Sequence, residues 1–298
     1  VLRLSQGMSY KNIMADLPIG GGKSVIMRPE GDFDRQALFE AFGRALESLN
    51  GQYISAEDVG VSPDDMVAAR RTTRHVVGLP DGTGDPSPVT AKGVFMGIQA
   101  AAARGLGSED LNGVKIAVQG ATGHVGAYLC RHLAEAGAEL HLADIRAAEL
   151  HALAKELGAT VVEDPNAIYD VDADIFTPCA LGAIINPETI DRLKVKVVAG
   201  AANNQLETRD MGAELQKRGI FYAPDYVINA GGIINVMGEL DARFDAKWVE
   251  GKLVTLKATL GEIMDTAARE ARPANIVADE LARQRLADAA EQKALAAE

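Results

Sequence analysis

Two lysines and an aspartate near the start of the chain have the residue types and the spacing that acid–base chemistry requires. Lys11 and Lys23 lie on either side of three consecutive glycines at 20–22, and Asp58 follows 35 residues after Lys23. Glycine lets a substrate approach the backbone closely. A buried lysine loses hydration, which lowers its pKa, while a neighbouring carboxylate opposes that fall and provides a second proton carrier. The pattern predicts Lys23 and Asp58 as catalytic residues and leaves Lys11 as a fixed cation for a substrate carboxylate.

A purely structural interpretation of the same residues stays open at this stage. Clustered glycines usually form turns, and both lysines could be solvated there. The surrounding elements are expected to be a strand at 24–27, a helix that begins at Asp34, a strand at 53–56 and a helix that begins at Ser62. The apolar face of the first of these helices is expected to comprise Leu38, Phe42, Ala45 and Leu49.

Composition limits the class of protein. The chain has 298 residues, of which 47% are hydrophobic and 5% aromatic, and it contains 30 glycines, as expected of a two-domain α/β protein. A net charge of −12 argues against nucleic acid or an anionic membrane as a partner. No apolar run approaches the ~18 residues that span a bilayer. The five histidines lack metal-ligand spacing, so no metal site is predicted.

Cys130 and Cys179 are too few for a disulfide framework, and no signal peptide is visible, so a cytoplasmic location is expected. The chain begins at Val1 inside what reads as an element. We therefore expect that a segment normally precedes it.

Strands and helices alternate in the central part of the chain. Strands are predicted at 114–118, 139–143, 160–162, 174–177, 195–199 and 220–222. Apolar strands that alternate with helices pair in parallel with helices on both faces, which predicts a doubly wound, Rossmann-type sheet.

A glycine-rich turn follows the first of these strands and opens a helix. The residues predicted to contact a dinucleotide there are Gly120, Thr122, Gly123, His124, Val125 and Gly126. Glycine backbones let a pyrophosphate approach the positive end of the helix. Asp144 ends the second strand, where a carboxylate accepts ribose hydroxyls and repels a 2′-phosphate, so NAD is the expected cofactor. A phosphate site for another nucleotide, or a site that has lost its function, is the alternative.

Three further loops at strand ends are expected to surround the nicotinamide. They contain Cys179 and Ala180, then Asn204, then Asn229. Asparagine is more often a turn former, and Ile233 and Val236 on the following helix are core residues by default.

The change in sequence pattern along the chain predicts the domain boundaries. Residues 1–80 form an α/β substrate domain, 81–270 the NAD-binding domain, and 271–298 C-terminal helices that pack back on the first domain. The crossing between the domains is placed within residues 82–88.

Six stretches in the same order resemble the Glu/Leu/Phe/Val amino-acid dehydrogenases, most closely their leucine and valine members, over essentially the whole chain. They are GMSYKN at 7–12, GGGK at 20–23, AEDVG at 56–60, PSPVT at 86–90, TPCALG at 177–182 and YAPDYVINAGG at 222–232.

The resemblance implies oxidative deamination of an L-amino acid to a 2-oxo acid and ammonia with NAD, in an oligomer. It implies that Lys11 holds the substrate carboxylate, Lys23 activates water and Asp58 transfers protons. It also places Thr90 and Asn204 at the nicotinamide end, with Asn229 nearby, and Ala56, Ile233 and Val236 around the substrate side chain. These three are apolar, which favours a branched aliphatic substrate over glutamate. Phenylalanine dehydrogenase, or a non-catalytic dinucleotide-binding protein, is the alternative.

The chain departs from the family pattern in two ways. The family has Gly-x-Gly-x-x-Gly, whereas residues 120–126 read Gly-x-x-Gly-x-x-Gly, one residue longer. Family members also carry an N-terminal segment that supplies a pocket wall and part of the subunit interface, and we expect that segment to precede Val1.

Overall fold

The computed structural model describes residues 1–58, 60–79, 85–241 and 245–295, and its centre is a six-stranded sheet in which every neighbouring pair is parallel. The strands are β1 Lys115–Gln119, β2 Glu139–Ala143, β3 Thr160–Val161, β4 Ile175–Pro178, β5 Val197–Val198 and β6 Phe221–Tyr222. Their order is β3-β2-β1-β4-β5-β6, so the chain winds outward on both sides of β1 and β4. This is the doubly wound Rossmann order, and the predicted fold class is confirmed.

All six predicted strands of the sheet occur, and three of them, β3, β5 and β6, are shorter than predicted. β2 has the predicted bounds, whereas β5 pairs over only two residues of the predicted 195–199. Apolar sequence marks where a strand is buried, while hydrogen bonds to neighbours mark where it ends.

Eleven α-helices within the described ranges surround the sheet and build the flanking lobe. They are α1 Leu2–Met14, α2 Arg35–Glu47, α3 Pro63–Arg70, α4 Ser87–Gly105, α5 His124–Glu135, α6 Ala147–Leu157, α7 Met211–Lys217, α8 Asp225–Ile228, α9 Gly231–Leu240, α10 Ala246–Glu270 and α11 Ala274–Leu295. The alanine-rich α4 packs against α5, α9 and α10. Across the described ranges, no helix combines the length and the apolarity needed to cross a bilayer.

The lobe that precedes the sheet differs from the sequence prediction. No strand forms at 24–27 or 53–56 in the described structure, where the only pairing is an isolated bridge between Ser55 and Val76. Val25 and Met27 are 56% and 88% exposed, so these apolar side chains are not buried against a sheet. These two strand predictions are wrong because a strand needs a paired neighbour as well as a suitable sequence.

The buried face of α2 also differs from the predicted one. α2 buries Phe39, Gly43 and Leu46 and leaves Ala45 and Leu49 exposed. α3 approaches so closely that a Cβ on Gly43 would lie 2.4 Å from the carbonyl oxygen of Ala69. The predicted helix start at Ser62 is confirmed, with the capping box completed by Asp65.

The C-terminal helices contact the lobe that carries α1. α10 and α11 are separated near Pro273, and Nε of Arg283 on α11 donates to the hydroxyl of Tyr10 on α1 at 3.0 Å. Residues 80–84 lie outside the described residues, and they include the first three residues of the predicted domain crossing at 82–88. α4 begins at Ser87, near the end of that predicted crossing.

Phe176 tests the core of the sheet, because it is fully buried on the central strand β4. We expect Phe176→Ala to lower the free energy of unfolding by about 3–5 kcal/mol, through lost burial and a cavity that collapses only in part. Urea denaturation followed by circular dichroism measures this change. Val254→Ala on α10, where Val254 is 54% exposed, is the control and should change it by less than about 0.5 kcal/mol. Equal effects of the two substitutions would contradict the assigned core.

Candidate active site

The glycine segment 20–22 packs directly on α1. Nδ2 of Asn12 donates to the carbonyl oxygen of Gly20 at 2.5 Å, and Oγ of Ser9 donates to that of Gly21 at 3.5 Å. A Cβ on Gly21 would lie 2.0 Å from the backbone nitrogen of Ser9, so a side chain could fit only if the two backbones separated. The glycines therefore set the separation between the α1 helix, which carries Lys11, and the segment that carries Lys23.

Lys23 and Asp58 form an ion pair. Their side chains are 28% and 44% exposed. Burial lowers the pKa of Lys23 from its ordinary value. The segments around this pair are joined because Oγ of Ser24 donates to the hydroxyl of Tyr53 at 2.8 Å. The structure thus brings together the two residues that the sequence predicts as catalytic.

Lys11 faces the loop that follows β5. Its Nζ donates to Oδ1 of Asn203 at 3.3 Å, and Nδ2 of Asn229 donates to the same oxygen at 2.7 Å. Burial lowers the pKa of Lys11 to about 8, the negative charge of Asp225 opposes this fall, and the charge of Lys23 adds to it. Lys11 on α1 therefore contacts the carboxamide of Asn203 at the carboxyl end of the sheet, and Asn229 contacts that same carboxamide.

Asn203 is a residue that the sequence prediction missed. The prediction named its neighbour Asn204, which adopts a left-handed conformation with φ of 51°. The adjacent asparagines identified the loop, but only the backbone course after β5 decides which carboxamide contacts Lys11.

The glycine-rich turn after β1 has the geometry of a phosphate-binding loop. Gly120 has φ of 76°, and Gly123 is the N-cap of α5, whose first residue is His124. A Cβ on Gly126 would lie 2.2 Å from the carbonyl oxygen of Gly120, so glycine lets the helix approach the strand. Val125, which precedes Gly126 in the sequence, is half-buried.

Asp144 holds the longer turn in place. Its Oδ2 accepts a hydrogen bond from the backbone nitrogen of Thr122 at 3.0 Å, and its Oδ1 accepts one from that of Arg146 at 3.1 Å. Burial opposes ionisation of Asp144, but the hydrogen bonds from Thr122 and Arg146 outweigh it and lower its pKa. The carboxylate that the sequence assigns to the ribose thus also has a structural function.

The loop after β4 lies against the glycine-rich turn. A Cβ on Gly120 would lie 2.9 Å from the backbone nitrogen of Ala180, the residue after Cys179. Burial raises the pKa of Cys179 to about 12, so its sulfur remains a thiol. Both residues therefore line this edge of the sheet without supplying a nucleophile.

Thr90 lies against the start of α9, where a Cβ on Gly231, two residues after Asn229, would lie 2.9 Å from the Cα of Thr90. Oγ1 of Thr90 donates to the carbonyl oxygen of Pro86 at 2.9 Å, within the first turn of α4. Nδ2 of Asn229 donates to Oδ1 of Asn203 and to the carbonyl oxygen of Ala201. Oδ1 of Asn229 is buried and has no hydrogen-bond partner in the described structure. A free buried acceptor here fits the carboxamide of a nicotinamide, so the residues present fit a bound dinucleotide.

The three residues assigned to the substrate side chain come from two separate parts of the chain. Ile233 and Val236 are half-buried on α9, and Ala56 is exposed and lies beside Gly78. Within the described ranges, no three histidine, cysteine, aspartate or glutamate side chains converge as metal ligands.

Comparison with known proteins agrees with this geometry. The family model for Glutamate/Leucine/Phenylalanine/Valine dehydrogenase matches residues 139–294, and the model for the Glu/Leu/Phe/Val dehydrogenase dimerisation domain matches residues 1–75. The chain is 46% identical over 288 residues to a leucine dehydrogenase of Thermoactinomyces intermedius, covering 96% of this chain and 78% of that one.

Relatives named for another substrate are almost as similar. The chain is 44% identical over 297 residues to an L-tryptophan dehydrogenase of Nostoc punctiforme, covering 99% of this chain and 83% of that one. The crystal structure of an L-tryptophan dehydrogenase from Nostoc punctiforme superposes with a TM-score of 0.85 at 42% identity, covering 97% of this chain and 83% of that one. On these matches, the chain belongs to the glutamate/leucine/phenylalanine/valine dehydrogenase family.

Proposed function

We propose that the chain catalyses the NAD-dependent, reversible oxidative deamination of a branched-chain L-amino acid to the 2-oxo acid and ammonia. The observation that carries the proposal is the Lys23–Asp58 ion pair in the lobe from which Lys11 reaches the carboxyl end of the dinucleotide-binding sheet. The leucine dehydrogenase relatives support the same reaction.

Each group of the proposed site has a distinct task. The ammonium of Lys11 binds the substrate carboxylate and orients the α-carbon. The carboxylate of Asp58 accepts a proton from the substrate nitrogen. A nicotinamide bound at this edge would supply the acceptor for the hydride of the α-carbon, and loss of that hydride would leave an iminium on the substrate.

Lys23 acts in the hydrolytic half of the reaction. Its neutral amine removes a proton from the water that adds to the iminium carbon, and collapse of the adduct releases ammonia and the 2-oxo acid. The balance is amino acid, NAD and water in, and 2-oxo acid, ammonium, NADH and a proton out. Burial assists this task because it lowers the pKa of Lys23 and so makes the neutral amine available at a lower pH.

The proposed substrate class rests on the apolar side chains of Ala56, Ile233 and Val236. A glutamate side chain placed among them would lose its hydration without gaining a partner. Branched aliphatic side chains would bury apolar surface there instead.

The proposed preference for NAD rests on Asp144. Its carboxylate ends β2 at the ribose position, where it would repel the 2′-phosphate of NADP. Arg146 lies beside it, with Nε 3.4 Å from Oδ1, and partly offsets that repulsion.

A homo-oligomer in the cytoplasm is proposed as the setting. The match of residues 1–75 to a dimerisation domain supports self-association. Cys130 and Cys179 are both free, which suits a reducing compartment.

A substrate panel tests the proposed reaction. The purified chain is assayed at alkaline pH for reduction of NAD and of NADP with leucine, valine, isoleucine, phenylalanine, tryptophan and glutamate. We expect kcat/KM to be highest for a branched aliphatic substrate and at least about 100-fold lower for glutamate, whose buried carboxylate would be unpaired. NAD should be preferred over NADP by at least about tenfold. Turnover with glutamate alone would contradict the pocket assignment, and dinucleotide binding without any turnover would indicate the non-catalytic alternative.

Lys23→Ala tests the assigned base. We expect kcat to fall by about 10²–10⁴-fold while the Kd for NAD, measured by calorimetry, stays the same, because a general base acts on water and not on the cofactor. Lys217→Ala is the control, since that side chain is 70% exposed on α7. A loss of NAD affinity in Lys23→Ala would instead make Lys23 a cofactor-binding residue.

Adjacent glycines provide a matched pair for the role of the glycine segment. Gly21→Ala must move the segment away from the backbone of α1, whereas a Cβ on Gly20 meets nothing within 4 Å. We expect Gly21→Ala to lower kcat/KM by about 10²-fold, because a displacement of about 1 Å disrupts catalytic geometry, and Gly20→Ala to leave it nearly unchanged. Steady-state kinetics on both variants makes the comparison, and similar values for the two would show that the contact with α1 does not position Lys23.

A further inference from the structure

Asp225 is a buried carboxylate that the proposed mechanism does not use. It is the first residue of α8, directly after the N-cap Pro224. Its Oδ2 accepts a hydrogen bond from the backbone nitrogen of Gln205 at 2.9 Å, and its Oδ1 accepts one from that of Tyr226 at 2.7 Å. Both oxygens are therefore directed by backbone donors, which fixes the position of the carboxylate.

The first of these hydrogen bonds holds the loop that contains Asn203. Gln205 is fully buried, and its Nε2 closes the same loop by donating to the carbonyl oxygens of Gly200 at 2.9 Å and Ala202 at 3.0 Å. The loop is thus held at one end by Asp225 and internally by Gln205. Asn203 lies between these attachments, so its carboxamide can meet Lys11 only while the loop keeps this course.

Asp225 also acts on Lys11 through its charge. It is the carboxylate that opposes the lowering of the Lys11 pKa, while Lys23 is the cation that adds to it. Burial raises the pKa of Asp225, and the hydrogen bonds from Gln205 and Tyr226 and the charge of Lys11 oppose that rise. The nearby phenols of Tyr222 and Tyr226 have raised pKa values through burial and stay neutral, so they add no charge to this region.

We propose that Asp225 is a positioning residue for substrate binding: its carboxylate holds the Asn203 loop against Lys11 and places a negative charge near that lysine. The inference rests on the proposed function, because it assigns Lys11 to the substrate carboxylate. Asp225 does not contact the substrate in this account and acts through Lys11 and Asn203.

The proposal predicts how substrate affinity depends on pH. A lysine is charged below its pKa, and Lys11 binds a carboxylate only when it is charged. Removing the charge of Asp225 lowers the Lys11 pKa further below about 8, so Lys11 loses its proton at a lower pH. Substrate binding should therefore weaken from the alkaline side.

The test uses Asp225→Asn in the full chain, with Asp210→Asn as a matched control at an exposed position. Trace labelling of amines with acetic anhydride across a pH series, followed by peptide mass spectrometry, measures the titration of Lys11, with exposed Lys217 as the internal standard. Steady-state kinetics across the same pH range measures KM and kcat for leucine. The labelling does not require turnover, so absence of activity in the unsubstituted chain would defeat the proposed function without deciding this inference.

We expect Asp225→Asn to move the titration midpoint of Lys11 to lower pH and to raise the KM for leucine by at least about tenfold, with a much smaller change in kcat. Asp225→Glu, which keeps the charge, should restore most of the midpoint, and Asp210→Asn should match the unsubstituted chain. An unchanged midpoint, or a fall in kcat at constant KM, would overturn the proposal.

Asn203→Ala decides the question if Asp225→Asn does not fold. It removes the carboxamide that Asp225 holds in place and leaves the charge of Asp225 unaltered. We expect a rise in the KM for leucine with the titration midpoint of Lys11 close to that of the unsubstituted chain. An unchanged KM in this variant would overturn the proposal.

Discussion

The proposed site depends on one constraint, the close contact between the backbones of Gly21 and Ser9. A Cβ on Gly21 would lie 2.0 Å from the backbone nitrogen of Ser9, a separation that no side chain tolerates. Ser9 and Lys11 share one helix, and Gly21 and Lys23 share one segment. This contact therefore determines the position of one lysine relative to the other. It fixes the position of Lys11 relative to the Lys23–Asp58 ion pair, as the proposed function requires.

The second half of the site is built by the carboxyl ends of parallel strands. Loops after β1, β4 and β5 meet there because strands that run in one direction end at one edge of the sheet. Asp144 shows how this edge accommodates a change in loop length. Its carboxylate accepts a hydrogen bond from the backbone nitrogen of Thr122, and this bond connects the longer glycine-rich turn to the end of the neighbouring strand. The longer turn is therefore compatible with the dinucleotide fold.

The sequence was informative where local chemistry decides the structure. The buried strands and the capping box at Ser62 depend on residue types and short spacings that are visible along the chain. It was uninformative where a distant partner decides. The strands predicted at 24–27 and 53–56 have no paired neighbour in the described structure, and the buried face of α2 is set by the approach of α3. Likewise, the loop course after β5 directs Asn203 to Lys11, which spacing alone could not reveal.

The most direct test of the central claim is a structure of the chain with NAD and a non-reacting analogue of leucine. The account predicts that Nζ of Lys11 contacts the analogue's carboxylate and that Nζ of Lys23 and the carboxylate of Asp58 lie at hydrogen-bonding distance from the groups on its α-carbon. The α-carbon itself should lie about 3.5 Å from the reactive carbon of the nicotinamide. A complex in which Lys23 and Asp58 face solvent, away from the analogue and the cofactor, would contradict it.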